Sequence, residues 1–313
     1  MRTLVLDTDT ASDDAVALMM ALRHPDVRVE AITVVAGNVG LDQAVQNALY
    51  VADLCGRGEV PVHAGATRPL LADLVTARGV HGRDGMGDVG LPVSGRHPAE
   101  GHAVDVLIDT FLARPSEIDL VTLGPLTNVA LAIERDPEWV KRIAGIALMG
   151  GSTDVGNVTR VAEFNVYADP EAAERVFRSG ADITMCGLNL THQVMTTDAV
   201  AERLRGAGTP VAGFAAQVFD DLHGRIAALT GFREAALHDP CAVLAVTHPE
   251  LIESAPRAVS VELDGTLTRG MTVVDQRRGL RGDPANAHVG YRIDAERALQ
   301  VVLESLGVES QPG

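Results

Sequence analysis

In the first half of the chain, short β-branched apolar runs alternate with longer amphipathic stretches. The short runs predict buried strands at 4–6, 29–36, 61–64, 118–123 and 145–150. The spacing of apolar residues between them predicts helices at 13–24, 41–55 and 103–115. This alternation predicts an α/β fold with a mostly parallel central sheet flanked by helices. Ligands of such sheets bind beyond the carboxyl ends of the strands, so the residues that follow each strand are the candidates for chemistry.

The second half departs from this alternation. Residues 76–101 are rich in glycine and lack periodicity, which predicts a long mobile loop. Helices are expected to dominate 187–237, and further elements are expected as strands at 257–263, 270–274 and 287–293 and a helix at 294–306. Because no repeat or linker interrupts the pattern, a single domain with insertions is expected over 1–308, followed by a frayed tail at 309–313.

Composition narrows the range of partners. Of the 313 residues, 46% are hydrophobic and 22% are charged, as in an ordinary globular protein. The formal net charge of −16 has the wrong sign for neutralising phosphates, so nucleic acid is not an expected partner. The longest apolar run, 15–22, is too short to cross a membrane, and no export signal is visible. The three cysteines form no CxxC pair, and a reducing cytoplasm is the expected location.

Four acidic residues follow the first predicted strand. Asp7 and Asp9 are expected to point to the same side of the strand end, and Ser12 to cap the next helix, whose first turn carries Asp13 and Asp14. Two carboxylates about 4 Å apart repel by roughly 4 kcal/mol at an effective dielectric of 20, so such a corner calls for a cation. A hard divalent ion suits these oxygen ligands. The alternative is that the helical pair complements the helix dipole and the strand pair is solvated.

Two enzyme classes share this opening pattern. Asp7-Thr8-Asp9-Thr10 matches the DxDxT signature of haloacid-dehalogenase-type phosphatases, which implies a Mg²⁺-dependent reaction with Asp7 as nucleophile. Residues 7–14 also resemble the DxDxxxDD signature of nucleoside hydrolases. The phosphatase interpretation needs a lysine near the phosphate, and the only lysine, Lys141, follows no strand end.

Later motifs separate the two classes. In chain order they are VAGNVGLDQAVQNAL after the second strand, HAGATRPL (63–70), HGRDGMG (81–87), TLGPLTNVALA (122–132), the block at 147–173, GLNLTHQV (187–194), LHDPCAVLAV (237–246) and LTRGMTVVD (267–275). Together they resemble the inosine-uridine-preferring nucleoside hydrolase family along nearly the whole chain.

This resemblance implies calcium-dependent hydrolysis of the N-glycosidic bond of ribonucleosides to ribose and free base. It places Ca²⁺ on Asp9, Asp14, the backbone carbonyl of Leu123 and Asp239. Asp9 corresponds to the general base that activates the water on the ion, and His238 to a histidine that assists departure of the base. The resemblance also implies a homodimer or homotetramer, with a small ribonucleoside as the substrate.

The resemblance assigns a further set of residues to the substrate. The set comprises Asp13 and Asn38 near the 2′ and 3′ hydroxyls, His81 near the base, and Met149, Asn157, Glu163 and Asn165 around the sugar and its 5′ end. Breaking an N-ribosidic bond develops positive charge on the ribose ring and needs an activated water and a neutralised leaving nitrogen. Carboxylates and carboxamides that hold the hydroxyls are suited to that change.

Structural interpretations compete with several of these assignments. Asp239 precedes Pro240 and an apolar run, so it could cap a helix. Asn38 and Asn157 each lie beside a glycine, as turn residues do. Glu163 could belong with Asn165 to a polar edge strand, and Met149 to the core.

The sequence departs from the family pattern at two places. Many relatives have Pro-Gly where this chain has Thr10-Ala11. Relatives also place Tyr or Trp before the His-Asp-Pro motif at 238–240, whereas the aromatic side chains of 210–237 are only Phe214, Phe219, Phe232 and His223. The preference for purine, pyrimidine or another N-riboside is therefore open, and a non-catalytic nucleoside-binding protein is a further alternative.

Overall fold

The computed structural model describes residues 1–91, 94–277 and 282–309. The strands are β1 Arg2–Thr8, β2 Val27–Val34, β3 Val62–Ala64, β4 Ile118–Thr122, β5 Ile146–Met149, β6 Ile183–Cys186, β7 Met195–Thr197, β8 Glu234–Ala236, β9 Ile252–Arg257, β10 Val259–Val261, β11 Thr272–Val274 and β12 Ala287–Ile293. The helices are α1 Ser12–Arg23, α2 Leu41–Leu54, α3 Arg78–His81, α4 Ala103–Ala113, α5 Thr127–Arg135, α6 Phe164–Ala168, α7 Pro170–Phe177, α8 Leu188–Thr191, α9 Asp198–Gly206, α10 Pro210–Thr230, α11 Asp239–Thr247 and α12 Ala295–Ser305.

Eight of these strands form the central sheet, in the order β3-β2-β1-β4-β5-β6-β12-β9. Every neighbouring pair is parallel except β12 with β9. The chain runs outward from β1 to β3 and then returns with β4 on the other side of β1. The β1–β4 boundary is therefore the topological switch point, where α/β sheets bind their ligands. The predicted α/β fold with a mostly parallel sheet is confirmed.

Helices cover both faces of the sheet, and the alternation along β1 divides its side chains between two cores. Leu4 and Leu6 pack with α1, α2 and α11 on one face, whereas Val5 packs with α4, α5 and α7 on the other. Both faces are closed, as the continuous apolar runs of the sequence predict. Side chains at the carboxyl ends of the strands lie beyond these two apolar cores and can form a polar site.

Several predicted boundaries shift. The strand predicted at 257–263 is β9 followed by β10, and β6, β7 and β8 are not apparent in the sequence pattern. The glycine-rich stretch 76–101 contains α3 and the fully buried Met86, so part of it packs as ordered structure. Residues 92 and 93 lie outside the described residues, as does all of the predicted tail except Glu309. Within the described ranges, no helix is long and apolar enough to cross a membrane.

Candidate active site

Asp9 lies at the switch point, one residue beyond β1, and is fully buried. Two glycines close around its carboxylate. A Cβ at Gly124 would lie 2.7 Å from Asp9 Oδ1, and a Cβ at Gly37 would overlap Oδ2. The backbone N–H of Asn38 donates to Oδ2 at 2.6 Å, while Oδ1 has no hydrogen-bond partner among the described residues. Burial, reinforced by the charge of Asp14, raises the pKa of Asp9 well above its ordinary value.

Asp14 is held by three donors from the same corner. Thr8 Oγ1 donates to Oδ1 at 2.6 Å, and the N–H of Ala11 and the side-chain amide of Asn38 donate to Oδ2 at 2.9 and 3.2 Å. Burial nevertheless raises the pKa of Asp14, and the charge of Asp13 adds to the effect. Asn38, expected at the ribose hydroxyls, thus connects the two acids Asp9 and Asp14, and one of its two side-chain N–H groups is used in doing so.

Asp239 joins this corner from the far end of the chain. Carboxylate oxygens of Asp13, Asp14 and Asp239 lie within 4.8 Å of one another, and all three side chains are buried. Burial raises the pKa of Asp239 well above its ordinary value, and the charges of Asp13, Asp14 and Asp9 raise it further. Asp13, rather than Asp9, is the third member of the tightest group. Asp9 is next to this group, since the charge of Asp14 raises its pKa.

This donor set fits a hard divalent cation. Buried carboxylates that repel one another are stabilised by a positive charge, and oxygen ligands suit calcium or magnesium better than zinc. The unpartnered Oδ1 of Asp9 and the raised pKa of Asp239 are the observations that such an ion would account for.

The prediction that Asp7, Asp9, Asp13 and Asp14 lie together is wrong for Asp7. Asp7 is still within β1, and its Oδ1 accepts from Thr33 Oγ1 at 2.5 Å and from Asn128 Nδ2 at 2.9 Å on the α5 side of the sheet. Asp9 lies past the strand end, where strict alternation no longer holds. Asp239 takes the place that the sequence pattern gave to Asp7.

The predicted helix cap is also wrong. Ala11 is the residue that precedes α1, and Ser12 is its first helical residue. Ser12 Oγ instead lies 3.1 Å from Nδ1 of His81, in α3. Since Ala11 has an extended backbone, the Thr10-Ala11 sequence enters the helix without strain. The Ser12 contact brings the loop that carries His81 against the acid cluster.

His238 lies immediately before α11, half-buried, next to Asp239. Its Nδ1 is 2.8 Å from Thr191 Oγ1, and the ring of His192 packs edge-on at a centroid distance of 5.6 Å. Burial, reinforced by the nearby His192 and His81 and opposed by the charge of Asp13, lowers the pKa of His238 to about 4. Asp239 is the first residue of α11 and is not its capping residue, so the capping alternative is not observed.

Leu123 and Asn165 meet on the other side of Asp9. Asn165 Nδ2 donates to the Leu123 carbonyl at 2.6 Å, to the Met149 carbonyl at 3.2 Å, and lies 3.4 Å from Met149 Sδ. Met149 is buried at the end of β5, a position that fits either a core residue or one that contacts the sugar. The structure thus brings Leu123, Met149 and Asn165 together.

Glu163 caps α6 and does not lie on an edge strand. Its Oε1 accepts from the N–H of Asn165 at 2.8 Å, and its Oε2 accepts from Gly151 and Val166 at 2.9 and 3.1 Å. Burial raises the pKa of Glu163 to about 7 in spite of these donors. The carboxylate therefore organises the start of α6.

Asn157 is the member of the predicted set that the structure leaves at the surface. It is exposed in the loop after β5, and its backbone N–H donates to Ala162 at 3.2 Å. No hydrogen bond within the described ranges connects its side chain to the acid cluster.

The phenylalanines before the HDP block are not arranged as a stacking platform. Phe214 packs against Tyr50, Phe219 stacks on the buried His223, and Phe232 is 68% exposed. Lys141 is an exposed residue paired with Glu138, so the lysine that the phosphatase interpretation needs is occupied at the surface.

The buried acids predict the pH dependence of stability without added metal. The pKa values of Asp7 and Glu163, both about 7, mean that the folded state retains protons that the unfolded chain has already released. Histidines whose pKa is lowered by burial, such as His238, act in the opposite direction, but this effect fades above about pH 7 as the unfolded chain releases their protons. We expect the melting temperature in chelator to fall between about pH 7 and pH 8. A melting temperature that rises over this interval would contradict these shifts.

Comparisons with known proteins match this chain over nearly its whole length. The sequence profile of the family described as inosine-uridine preferring nucleoside hydrolase matches residues 4–300. A pyrimidine-specific ribonucleoside hydrolase RihA from Shewanella sp. (strain MR-7) is 41% identical over 98% of this chain and 96% of its own length. An inosine-uridine preferring nucleoside hydrolase from Leishmania major is 40% identical over 97% of each chain. The solved structure of a purine-preferring ribonucleoside hydrolase from Gardnerella vaginalis superimposes with a TM-score of 0.92 at 34% identity, covering 98% of both chains.

Proposed function

Because the chain belongs to the inosine-uridine preferring nucleoside hydrolase family, and is thus an N-ribosyl hydrolase, we propose that it cleaves ribonucleosides to ribose and free base with the help of one Ca²⁺ ion. The observation that carries this proposal is the buried acid cluster at the switch point, with one oxygen of Asp9 unpartnered. Calcium is proposed because the ligands are carboxylates and a carbonyl.

The ion would be held by Asp9, Asp14, Asp239 and the Leu123 carbonyl, and the Asp13 carboxylate lies close beside those of Asp14 and Asp239. When bound, it supplies positive charge that offsets the carboxylate repulsion and lowers the pKa of a water in the site. Asn165 fixes the direction of the Leu123 carbonyl through its 2.6 Å hydrogen bond, and so helps to aim that oxygen.

Asp9 then acts as the general base. Its Oδ2 is fixed by the N–H of Asn38, whereas Oδ1 has no hydrogen-bond partner among the described residues, so it would lie beside both the ion and the water and keep a lone pair for the proton. As the C1′–N bond breaks, its electron pair passes to the base nitrogen, which takes up a proton from solvent. The water oxygen bonds to C1′ and one of its protons passes to Asp9, which later returns it to solvent, so that water adds across the bond with no net change in protons. Asp13, whose side chain is 5% exposed and accepts no hydrogen bond from the described residues, is proposed to accept from a ribose hydroxyl.

His238 is proposed to assist the leaving base. A pKa near 4 makes the ring neutral at neutral pH, so it acts through an N–H hydrogen bond and not as a standing imidazolium. In the tautomer in which Nδ1 accepts from the Thr191 hydroxyl, Nε2 carries the hydrogen and can donate it. His81 completes this side of the site from α3.

The proposal is tested by incubating the purified protein with calcium and inosine, adenosine, uridine, cytidine or nicotinamide riboside, and measuring released ribose. We expect ribose from at least one of the five substrates. Ranking the substrates by the rate of ribose release gives the base preference. Absence of ribose from every substrate contradicts the proposal. Tight nucleoside binding without turnover, unaltered in Asp9→Ala, would favour the non-catalytic alternative.

We expect His238→Ala to lower kcat on nucleosides by about 100-fold, because the leaving nitrogen loses a hydrogen-bond donor. Hydrolysis of 4-nitrophenyl riboside, whose leaving group is stable as an anion, should fall far less. His248→Ala, at the opposite end of α11, is the matched control. Equal losses on both substrates would assign His238 to ribose or metal binding.

A homodimer or homotetramer and a cytoplasmic location stay predictions from the resemblance and the composition. Sedimentation of the purified protein tests the first.

A further inference from the structure

A row of buried polar side chains crosses four strands directly beneath the acid cluster. In the strand registers, His63 pairs with Thr33, Thr33 with Asp7, and Asp7 with Thr122. Each is the last or second-to-last residue of its strand. Three of the four are 0% exposed and His63 is 8% exposed. We refer to these four residues as the switch-point row.

Asp7 is the centre of this row. Thr33 Oγ1 and Asn128 Nδ2 both donate to the same oxygen, Oδ1. Asn128, in the first turn of α5, also donates to the Val34 carbonyl at 3.2 Å and accepts from the N–H of Ala66 at 2.9 Å. One carboxylate oxygen therefore connects β1 to β2 and to the start of α5.

Three atoms of the row lack a hydrogen-bond partner within the described ranges. They are Asp7 Oδ2, Thr122 Oγ1 and His63 Nδ1, out of seven such buried side-chain atoms. Leaving a buried polar atom without a hydrogen bond is unfavourable, so such atoms usually bind internal water. Asp7 and Thr122 are on adjacent strands about 4.8 Å apart and face the same side, a separation that one water can bridge.

The row connects directly to two proposed calcium ligands. The N–H of Leu123 donates to the Asp7 carbonyl at 2.8 Å, and Leu123 follows Thr122 immediately. Asp9 lies two residues beyond Asp7, directly after the end of the same strand. A change in the spacing of β1 and β4 at this row therefore moves Asp9 relative to the Leu123 carbonyl.

We propose that the switch-point row, with one internal water between Asp7 Oδ2 and Thr122 Oγ1, holds β1 and β4 at the spacing at which Asp9 and the Leu123 carbonyl serve a single cation. Asp7 is a positioning residue in this arrangement. It touches neither the substrate nor the ion, and its role rests on the proposed function.

The test compares Asp7→Ala with Asp7→Asn. An asparagine amide keeps an oxygen for Thr33 and Asn128 and places an NH₂ group at the unpartnered position, whereas alanine removes both. We expect Asp7→Ala to weaken Ca²⁺ binding by about 10- to 100-fold, the range for residues that support metal ligands. Asp7→Asn should restore affinity to within about threefold of the wild type. Calcium affinity is measured by titration calorimetry on the whole protein.

A second readout does not depend on the ion. The Leu123 amide should exchange its hydrogen faster in Asp7→Ala than in the wild type, because its acceptor strand is no longer held, and Asp7→Asn should restore slow exchange. Thr122→Val removes the proposed water ligand at nearly constant volume and should weaken calcium binding by about tenfold. Thr3→Val, on the same face of β1 at its other end, is the matched control and should change neither readout.

The proposal is overturned if folded Asp7→Ala keeps wild-type calcium affinity and Leu123 exchange, or if Asp7→Asn loses as much as Asp7→Ala. Should Asp7→Ala fail to fold, Thr122→Val provides the test. Wild-type calcium affinity and wild-type Leu123 amide exchange in Thr122→Val would overturn the proposal. If the wild type binds calcium but releases no ribose, the proposed function fails while the row is still tested by binding. If it binds no calcium, Leu123 exchange still tests the row.

Discussion

Replacing Asp9 with asparagine should lower kcat by on the order of 10³- to 10⁴-fold, the upper part of the range for loss of a positioned general base. An amide oxygen can still accept from the N–H of Asn38, so the fold around the residue is kept. The unpartnered oxygen, however, loses its basicity, whichever way the amide is oriented. Steady-state release of ribose at saturating calcium measures the effect.

The control for this variant is Asp119→Asn, the same change of charge at the amino-terminal end of the sheet, where Asp119 pairs with Arg2. It should leave kcat within about twofold, since a partly exposed ion pair contributes little. Retention of more than a tenth of the wild-type kcat by Asp9→Asn would exclude Asp9 as the base.

The second large effect is expected at Asp239, where function and stability should change in opposite directions. Asp239→Asn removes a charged ligand, so calcium affinity should fall by about 100-fold or more. The same change removes a carboxylate whose pKa is raised by burial and by three neighbouring acids. The calcium-free protein should therefore become more stable, by on the order of 1–3 kcal/mol at pH 8.

Urea unfolding with chelator and with saturating calcium separates the two effects. The wild type should gain more stability from calcium than Asp239→Asn does. A variant that is destabilised without calcium, and that binds the ion as tightly as the wild type, would show that Asp239 is a structural residue and not a ligand.

The parallel sheet and its helices could be predicted from the sequence because apolar periodicity is a local property. The helix predicted at 13–24 is observed at Ser12–Arg23, and the one predicted at 294–306 is observed at Ala295–Ser305. The strand β6 was missed because its four residues carry too short a pattern to stand out between α7 and α8.

The acid cluster could be predicted only in part, because it depends on positions past the strand ends. Alternation placed Asp7 and Asp9 together, but Asp7 is bound within the sheet while Asp9 lies in the loop beyond it. Nothing local in the sequence brings Asp239 to Asp14, more than two hundred residues earlier, and only the family resemblance indicated it.

Hydrogen bonds between distant segments were the least predictable features. Asn38 resembled a turn residue or a ribose ligand, yet it connects Asp9 with Asp14. Asn128 belongs to the GPLTN motif, but nothing in that motif shows that its side chain binds Asp7 across the sheet. Partners of this kind are set by strand order, which places β4 beside β1.

A crystal structure of the protein with calcium and ribose tests the central claim most directly. We expect one ion with carboxylate oxygens of Asp9, Asp14 and Asp239 and the Leu123 carbonyl at about 2.3–2.6 Å, and the sugar beside it. An ion held by Asp13, Asp14 and Asp239 without Asp9, or a ribose bound away from the switch point, would contradict the account.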